Sequence, residues 1–288
     1  MEEDLISPIR PNLDHFIREA LVEDVGDGDH SSLACIPENK TGFANLLIKD
    51  NGIMAGMAVA EYIFHFIDPE IKFSALKKDG DLVKKGEIAF TIEGRIQTIL
   101  KLERLVLNVM QRMSGIATRT YEMVGLIMDL HTKLLDTRKT TPGIRFLEKM
   151  AVKIGGGYNH RFGLYDMIML KDNHVDGAGG IKNAIESTHA YLKNKGLNLK
   201  IEIETRNLDE VKQVLEIGGV DRIMLDNFKV PELKEALVLI NGKYETEASG
   251  GITEESLRDY AMTGVDYISS SAMTHSVKSM DLSLKLRK

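Results

Sequence analysis

Residues 199–227 read LKIEIETRNLDEVKQVLEIGGVDRIMLDN. Two short apolar runs, 199–203 and 222–225, have strand length and flank an amphipathic stretch, 208–217, with a helical period. Asn207 and Glu210 form a capping box at the start of that helix. One strand–helix–strand unit of this kind predicts two parallel strands, because the intervening helix is the crossover.

The unit repeats in both directions. Further strands are expected at 133–136, 167–170, 244–248 and 267–269, and further helices at 178–195, 231–240 and 254–262. Pro231 suits a first helical turn and Thr253 caps the last helix. From residue 201 onward the strands recur about every 22 residues, room for one helix per crossover. Each strand runs into a polar cluster: Thr137-Arg138-Lys139, Lys171-Asp172-Asn173-His174, Glu204-Thr205-Arg206, Asp226-Asn227, Ser249-Gly250-Gly251 and Ser270-Ser271. A doubly wound sheet concentrates its chemistry at one switch point, whereas a barrel gathers every strand C-terminus on one face. Six polar strand ends therefore predict an α/β barrel. With six or seven strands instead of eight it is incomplete and open.

Upstream the texture differs. Residues 43–48 and 88–92 read as strands, with turn chemistry between them at Asp79-Gly80-Asp81 and Lys84-Lys85-Gly86. The run GDLVKKGEIAFTIEG looks like half of a biotinyl- or lipoyl-carrier barrel, but it has no modifiable lysine at a hairpin tip and reads as scaffold. Residues 97–112 form a helix with Ile99, Leu102, Val106, Val109 and Met110 at core spacing. The division expected is an N-terminal α/β, sandwich-like domain over 1–115 and the open barrel over 116–275. The amphipathic tail, 276–288, packs back on the first domain.

Composition narrows the class. The 288 residues are 43% hydrophobic and 28% charged, a balance that excludes disordered and fibrous chains. A net charge of −6 argues against nucleic-acid partners while permitting a local basic site. The single cysteine, Cys35, fits a reducing cytosol; the acidic, proline-broken start is no signal peptide, and no uncharged run reaches membrane-span length. A soluble cytoplasmic protein with no membrane partner is expected. His15, His30, His65, His131 and His189 lack ligand spacing, and no structural zinc site is predicted. Fourteen Met and no Trp indicate flexible core filling.

The chemistry concentrates in residues 136–174, which hold seven Lys/Arg against four Asp/Glu, plus His160 and His174. Arg138, Lys139, Arg161 and Lys171 fall at strand ends or in the loop between strands, where forked guanidiniums and point-charge ammoniums suit carboxylates and phosphates. The Gly155-Gly156-Gly157 loop and Ser249-Gly250-Gly251 can aim backbone N–H groups at an anion. Glu204 and Asp226 end neighbouring strands and are placed to hold Mg²⁺ or ribose hydroxyls. Glu202 shares the face of Glu204 and needs a partner, Lys171 or another strand-end base.

These residues carry a resemblance. DTRKTTPGIRFLEKMAVKIGGGYNHRFGLYDMIMLKDNH (136–174) resembles the quinolinate phosphoribosyltransferase family, as do ERLVLNVMQRMSGIAT, IEIET, IMLDN, EASGGI and GVDYISSSAMTHS, in order and over nearly the whole chain. The resemblance implies an N-terminal α/β domain followed by a seven-stranded open barrel. It implies transfer of phosphoribose from phosphoribosyl pyrophosphate (PRPP) to quinolinate, with decarboxylation, giving nicotinate mononucleotide for NAD synthesis. By motif, Arg138, His160, Arg161 and Lys171 surround the quinolinate carboxylates, with Thr137 beside them, and Lys139 sits near the pyrophosphate. Glu204 and Asp226 hold the ribose hydroxyls and Mg²⁺-bound PRPP. Lys139, Lys171, Glu204 and Asp226 are the catalytic set. Ser249, Gly250, Gly251, Ser270 and Ser271 receive the 5′-phosphate, Ser271 standing where the family often has Gly. Arg104 reaches the site of a neighbouring subunit, since the family's sites are shared across a homodimer that also occurs in hexamers. Three rivals are a barrel enzyme using Lys171 as a Schiff-base nucleophile, a related phosphoribosyltransferase-like protein from metal-transport clusters acting on another pyridine or a different base, and a non-catalytic phosphosugar sensor.

Overall fold

The computed structural model describes residues 4–287. In chain order the elements of the first half are α1 (Arg10–Val25), α2 (His30–Cys35), β1 (Thr41–Ile48), β2 (Gly52–Ile53), α3 (Met57–Ile67), β3 (Lys72–Ala75), β4 (Leu82–Val83), β5 (Ile88–Arg95) and α4 (Ile96–Gly125). There follow β6 (Lys133–Leu135), α5 (Arg145–Ile154), β7 (Ile168–Leu170), α6 (Asp172–Ala178), α7 (Ile181–Lys195), β8 (Ile201–Thr205) and α8 (Leu208–Ile217). The chain continues through β9 (Arg222–Asp226), α9 (Val230–Ile240), β10 (Glu245–Ser249), α10 (Glu254–Ala261), β11 (Tyr267–Ser269) and β12 (Leu282–Leu286).

Two compact units emerge. One comprises Met1–Tyr121, Thr140–Gly156 and Met273–Lys288; the other comprises Glu122–Lys139 and Gly157–Ala272. The first unit is discontinuous in the chain: α5 and β12 both belong to it.

The N-terminal unit is built on an antiparallel sheet in the order β12-β1-β5-β3, with β2 and β4 as a separate pair. Alternation puts Ala44, Leu46 and Ile48 of β1 and Ala89, Phe90 and Ile92 of β5 into the core, where Phe64 of α3 meets Phe90 edge-on at 6.2 Å. The last strand supplies Leu282 and Leu284 to the same core. In α4, all five residues read as core, Ile99, Leu102, Val106, Val109 and Met110, are buried. Among the described residues no helix is long and apolar enough to cross a membrane.

The second unit is the open α/β barrel. Its six strands are all parallel, in the order β6-β11-β10-β9-β8-β7, so the first strand lies beside the last. A single parallel bridge, Leu135 to Tyr158, extends the sheet beyond β6 toward a seventh position. Ile203, Ile223, Leu225, Ala248 and Ile268 occupy one face of the strands, and Val211, Val214, Leu233, Ala236 and Leu257 supply buried helix positions. At α8 the Asn207 side chain accepts the Glu210 N–H at 3.0 Å, as the capping motif requires. The Glu210 carboxylate reaches one residue further back than expected, accepting the Arg206 N–H. Thr253 and Ser256 form the reciprocal box at α10.

Candidate active site

In a parallel barrel every strand C-terminus faces one end, so whatever follows each strand is brought together there. Thr137, Arg138 and Lys139 follow β6, Lys171 follows β7, Glu204 lies in β8, and Asp226 and Ser249 end β9 and β10. Ser270 and Ser271 follow β11. In register, Glu204 is beside Met224 and Asp226 is beside Ser249, so neighbouring strands present their polar ends side by side.

An ion pair at this end joins Lys171 to Glu204, Nζ to Oε2, at 3.3 Å. The carboxylate side chain is only 10% exposed while the lysine is 47% exposed, so the pair has a wet and a dry side. Burial pushes the Glu204 carboxyl up; Lys171 pulls it back and Asp226 pushes it further up. Burial also raises Asp226, against a hydrogen bond from Asn227 and the charges of Lys171 and Lys139. Two neighbouring carboxylates with hard oxygen donors, and lysines to limit their repulsion, suit a hydrated Mg²⁺.

The loop after β10 is shaped for close approach. Gly250 has φ +92°, and a Cβ there would meet the Asn227 backbone nitrogen at 2.9 Å, so only glycine fits. Asn227 itself sits at φ +59° and donates its N–H to the Ser249 carbonyl, which ties the β9 and β10 ends together. Gly251, at φ +61°, continues the turn. After β11, the Ser270 N–H donates to Leu135 O of β6, and the Ser270 hydroxyl accepts the Ala272 N–H.

Between the β6 bridge and β7, Arg161 is half-buried and its guanidinium donates to Met167 O at 3.1 Å. Asp166 accepts the Phe162 and Gly163 N–H groups, closing the turn that carries Arg161. Burial, and then the charge of Arg138, lower the Arg161 pKa, so two guanidiniums bear on one region. His174, counted with the basic residues, is a helix cap: its Nδ1 accepts the Lys171 N–H at 2.9 Å. Arg206 is engaged by Asp176 and Glu210.

His160 faces inward, with a side chain only 5% exposed. Its Nε2 lies 3.0 Å from Glu202 and 3.4 Å from Glu247, and Arg222 pairs with Glu247 at 2.9 Å. The partner of Glu202 is therefore His160; Lys171 serves Glu204 instead. Burial would depress the imidazole, but the two carboxylates outweigh it and lift it to about 9. Burial and the charge of Glu247 push Glu202 up to about 7. Nδ1 lies 2.6 Å from the Arg161 backbone nitrogen, so both ring nitrogens face protein groups. The three ligand atoms lie within 4.8 Å of one another, a spacing open to a divalent ion, but the Arg222 guanidinium already supplies a cation there. Glu247 and Arg222 were not among the expected site residues. The signal was present in two E-x-E strands, 202–204 and 245–247, whose period of two sends both acids of each to one face.

Arg104 belongs to the other compact unit. On α4 it lines a cavity of about 280 Å³ with Phe16, Glu23, Asn108, Arg112 and Glu148.

An open parallel barrel with bases and paired acids at its strand ends defines a class, the barrel enzymes that handle small polyanions. Comparison with known proteins narrows it. The chain belongs to the quinolinate phosphoribosyl transferase family: residues 29–114 match its N-terminal domain and residues 116–285 its C-terminal domain. A carboxylating nicotinate-nucleotide pyrophosphorylase of Arabidopsis thaliana is 47% identical, over 97% of this chain and 84% of the relative. A probable one of Bacillus subtilis is 43% identical, over 94% and 91%. Among solved structures, the nicotinate-nucleotide pyrophosphorylase from Francisella tularensis superposes with a TM-score of 0.90 at 36% identity, covering 100% of both chains.

Proposed function

We infer that the protein transfers the phosphoribosyl group of PRPP to the ring nitrogen of quinolinate. Pyrophosphate and carbon dioxide leave, and nicotinate mononucleotide remains for NAD synthesis. One observation carries this reading: both domains of a single transferase family match in order along the chain, over residues 29–285. The geometry supports it, because the barrel's polar end combines bases for an acid and phosphates with a carboxylate pair for a metal-bearing donor.

Quinolinate is a dianion, and Arg138, Arg161 and Lys171, with Thr137 and His160 in the same group, are assigned to it. Arg forks suit a carboxylate held in orientation, and the Lys171 ammonium approaches the carboxylate that departs. Glu204 and Asp226 are assigned to the ribose hydroxyls and would hold the Mg²⁺ that accompanies PRPP, which would supply positive charge against the pyrophosphate. Lys139 adds a point charge where pyrophosphate leaves. Ser249, Gly250 and Gly251, with Ser270 and Ser271, offer hydroxyls and backbone N–H groups to the 5′-phosphate. The acceptor nitrogen needs no general base, since it attacks with its own lone pair. Once alkylated, the ring withdraws electrons and stabilises the carbanion left by decarboxylation. The ion pair of Lys171 with Glu204 favours a charged amine and argues against a Schiff-base role. We further assign a homodimer, alone or within a hexamer, in which Arg104 serves the partner's site, and a cytoplasmic location.

The test is product formation from purified protein, PRPP, Mg²⁺ and carboxyl-labelled quinolinate, with nicotinate in parallel. Labelled carbon dioxide and nicotinate mononucleotide from quinolinate alone is the expected result. PRPP binding with no product from either acid would favour a sensor.

A further inference from the structure

Beneath the strand ends the barrel interior holds charge where a core of this depth is ordinarily apolar. Register places Glu202 beside Arg222 and Arg222 beside Glu245, with Glu247 two residues along. Glu202 and Glu247 are both 0% exposed. Their burial is compensated by His160, whose Nε2 lies 3.0 Å from Glu202 and 3.4 Å from Glu247, and by Arg222 at 2.9 Å from Glu247. Such an arrangement is costly compared with apolar residues of the same size, and its return is a fixed arrangement of the groups it holds.

What it holds is His160, and from His160 the bonds lead outward to the site. The imidazole Nε2 faces the two carboxylates, while Nδ1 lies 2.6 Å from the backbone nitrogen of Arg161. The His160 backbone N–H donates to Asp136 Oδ1 at 2.8 Å, and Asp136 lies two residues before Arg138. The far end of Arg161 is anchored on Met167 O. Arg161 is thus fixed at its backbone and at its guanidinium. That restraint has a purpose, because the charges of Arg138 and Arg161 bear on each other. With no anion between them, repulsion would turn the more mobile guanidinium toward solvent.

We propose that Glu202 and Glu247, acting through His160, are positioning residues that hold Arg161 ready for a carboxylate of the acceptor acid. Neither touches substrate. His160, with both ring nitrogens directed to protein groups, serves the acid through Arg161. The proposal rests on the functional reading above.

Its test uses the whole enzyme and two near-isosteric variants, Glu202→Gln and Glu247→Gln, with Asp79→Asn as a control. Asp79 is a half-buried acid of the other unit that accepts the N–H groups at the start of α3. KM for quinolinate, KM for PRPP, kcat and the thermal midpoint are measured for each. A quinolinate KM raised about tenfold in both Gln variants, with PRPP KM changed less than about twofold, is expected. Equal shifts in both KM values would overturn the proposal. So would a lowered midpoint with both KM values unchanged, the pattern expected of Asp79→Asn. If Glu247→Gln does not fold, Glu202→Gln decides the matter, since it leaves the Arg222–Glu247 pair intact. Absence of quinolinate turnover in the wild type would sink the functional reading; wild-type turnover with unshifted variants sinks only the positioning role.

Discussion

The two sheets of this protein fill their interiors by opposite rules. Inside the antiparallel sheet of the N-terminal unit the buried row is Ala44, Leu46, Ile48, Ala89, Phe90 and Ile92, closed by Phe64. Inside the barrel the buried positions include Glu202, Glu204, Glu247 and His160, with Arg222 half-buried against them. The first interior is specified by volume and shape, so neighbours of similar size can replace one another. The second is specified by pairing: each charge is tolerated only because another charge is present. A sheet of the first kind can serve as scaffold, while one of the second kind sets the direction of side chains at its open end.

The sharpest way to break that comparison is the same replacement residue on both sides. Leu46→Met keeps volume and apolar character, and should cost less than about 1.5 kcal/mol in denaturant unfolding. Glu247→Met is also close in volume, yet leaves His160 and Arg222 facing an apolar side chain. It should cost about 3–5 kcal/mol, the range found when one partner of a buried ion pair is removed. Equal losses at the two positions would mean that the barrel charges contribute no more than their packing.

A second, smaller effect separates the barrel's buried charges from an exposed ion pair by pH. The folded-state pKa of His160 is raised to about 9, so its contribution is complete below the ordinary imidazole value of 6.5 and disappears as pH climbs through 9. Glu202, raised to about 7, acts with the same sign from its ordinary 4.5 upward. Asp129 runs the other way: its hydrogen bonds with exposed Arg258 lower it to about 2, so its contribution fades only in acid. Unfolding free energy should therefore fall by about 2–3 kcal/mol between pH 6.5 and 9, scaled from the His160 shift. The Glu202→Gln protein should show a shallower slope over that window. An identical slope in both proteins would place the titration elsewhere.

The same contrast explains what could be read from the sequence. Strand–helix alternation from residue 199 onward was legible because β8 to β11 lie under helices on one face and keep apolar residues there. The polar strand ends were legible because they interrupt that pattern at a constant place. The helix α1 was not expected in the proline-broken start, yet Pro11 lies in its first turn, where no N–H is needed. The helix α5 was missed because seven consecutive residues, Phe146 to Val152, are buried, including Glu148 and Lys149, so polarity and burial no longer alternate together. In α4 the apolar pattern from 97 to 112 was clear, but the helix continues to Gly125 through a small-residue stretch without strong periodicity. The charged barrel interior was half-legible. Glu202 was seen to need a partner, but Arg222, Glu247 and His160 come together only through strand register, and no local pattern states which strands are neighbours.

The smallest effect tests whether dependence on polar pairs is confined to the barrel interior. Asn207 caps α8 on the exposed side of the same unit, its side chain accepting the Glu210 N–H at 3.0 Å. Water can take over that donor when the side chain is removed, so Asn207→Ala should cost only about 1 kcal/mol. Kinetic constants should stay at wild-type values, because the cap bonds to neither Arg161 nor the Lys171–Glu204 pair. A loss as large as that of Glu247→Met would show that the outer helices also depend on single polar contacts. A loss near the cap value would locate that dependence in the His160, Glu202 and Glu247 cluster, where water cannot replace the missing partner.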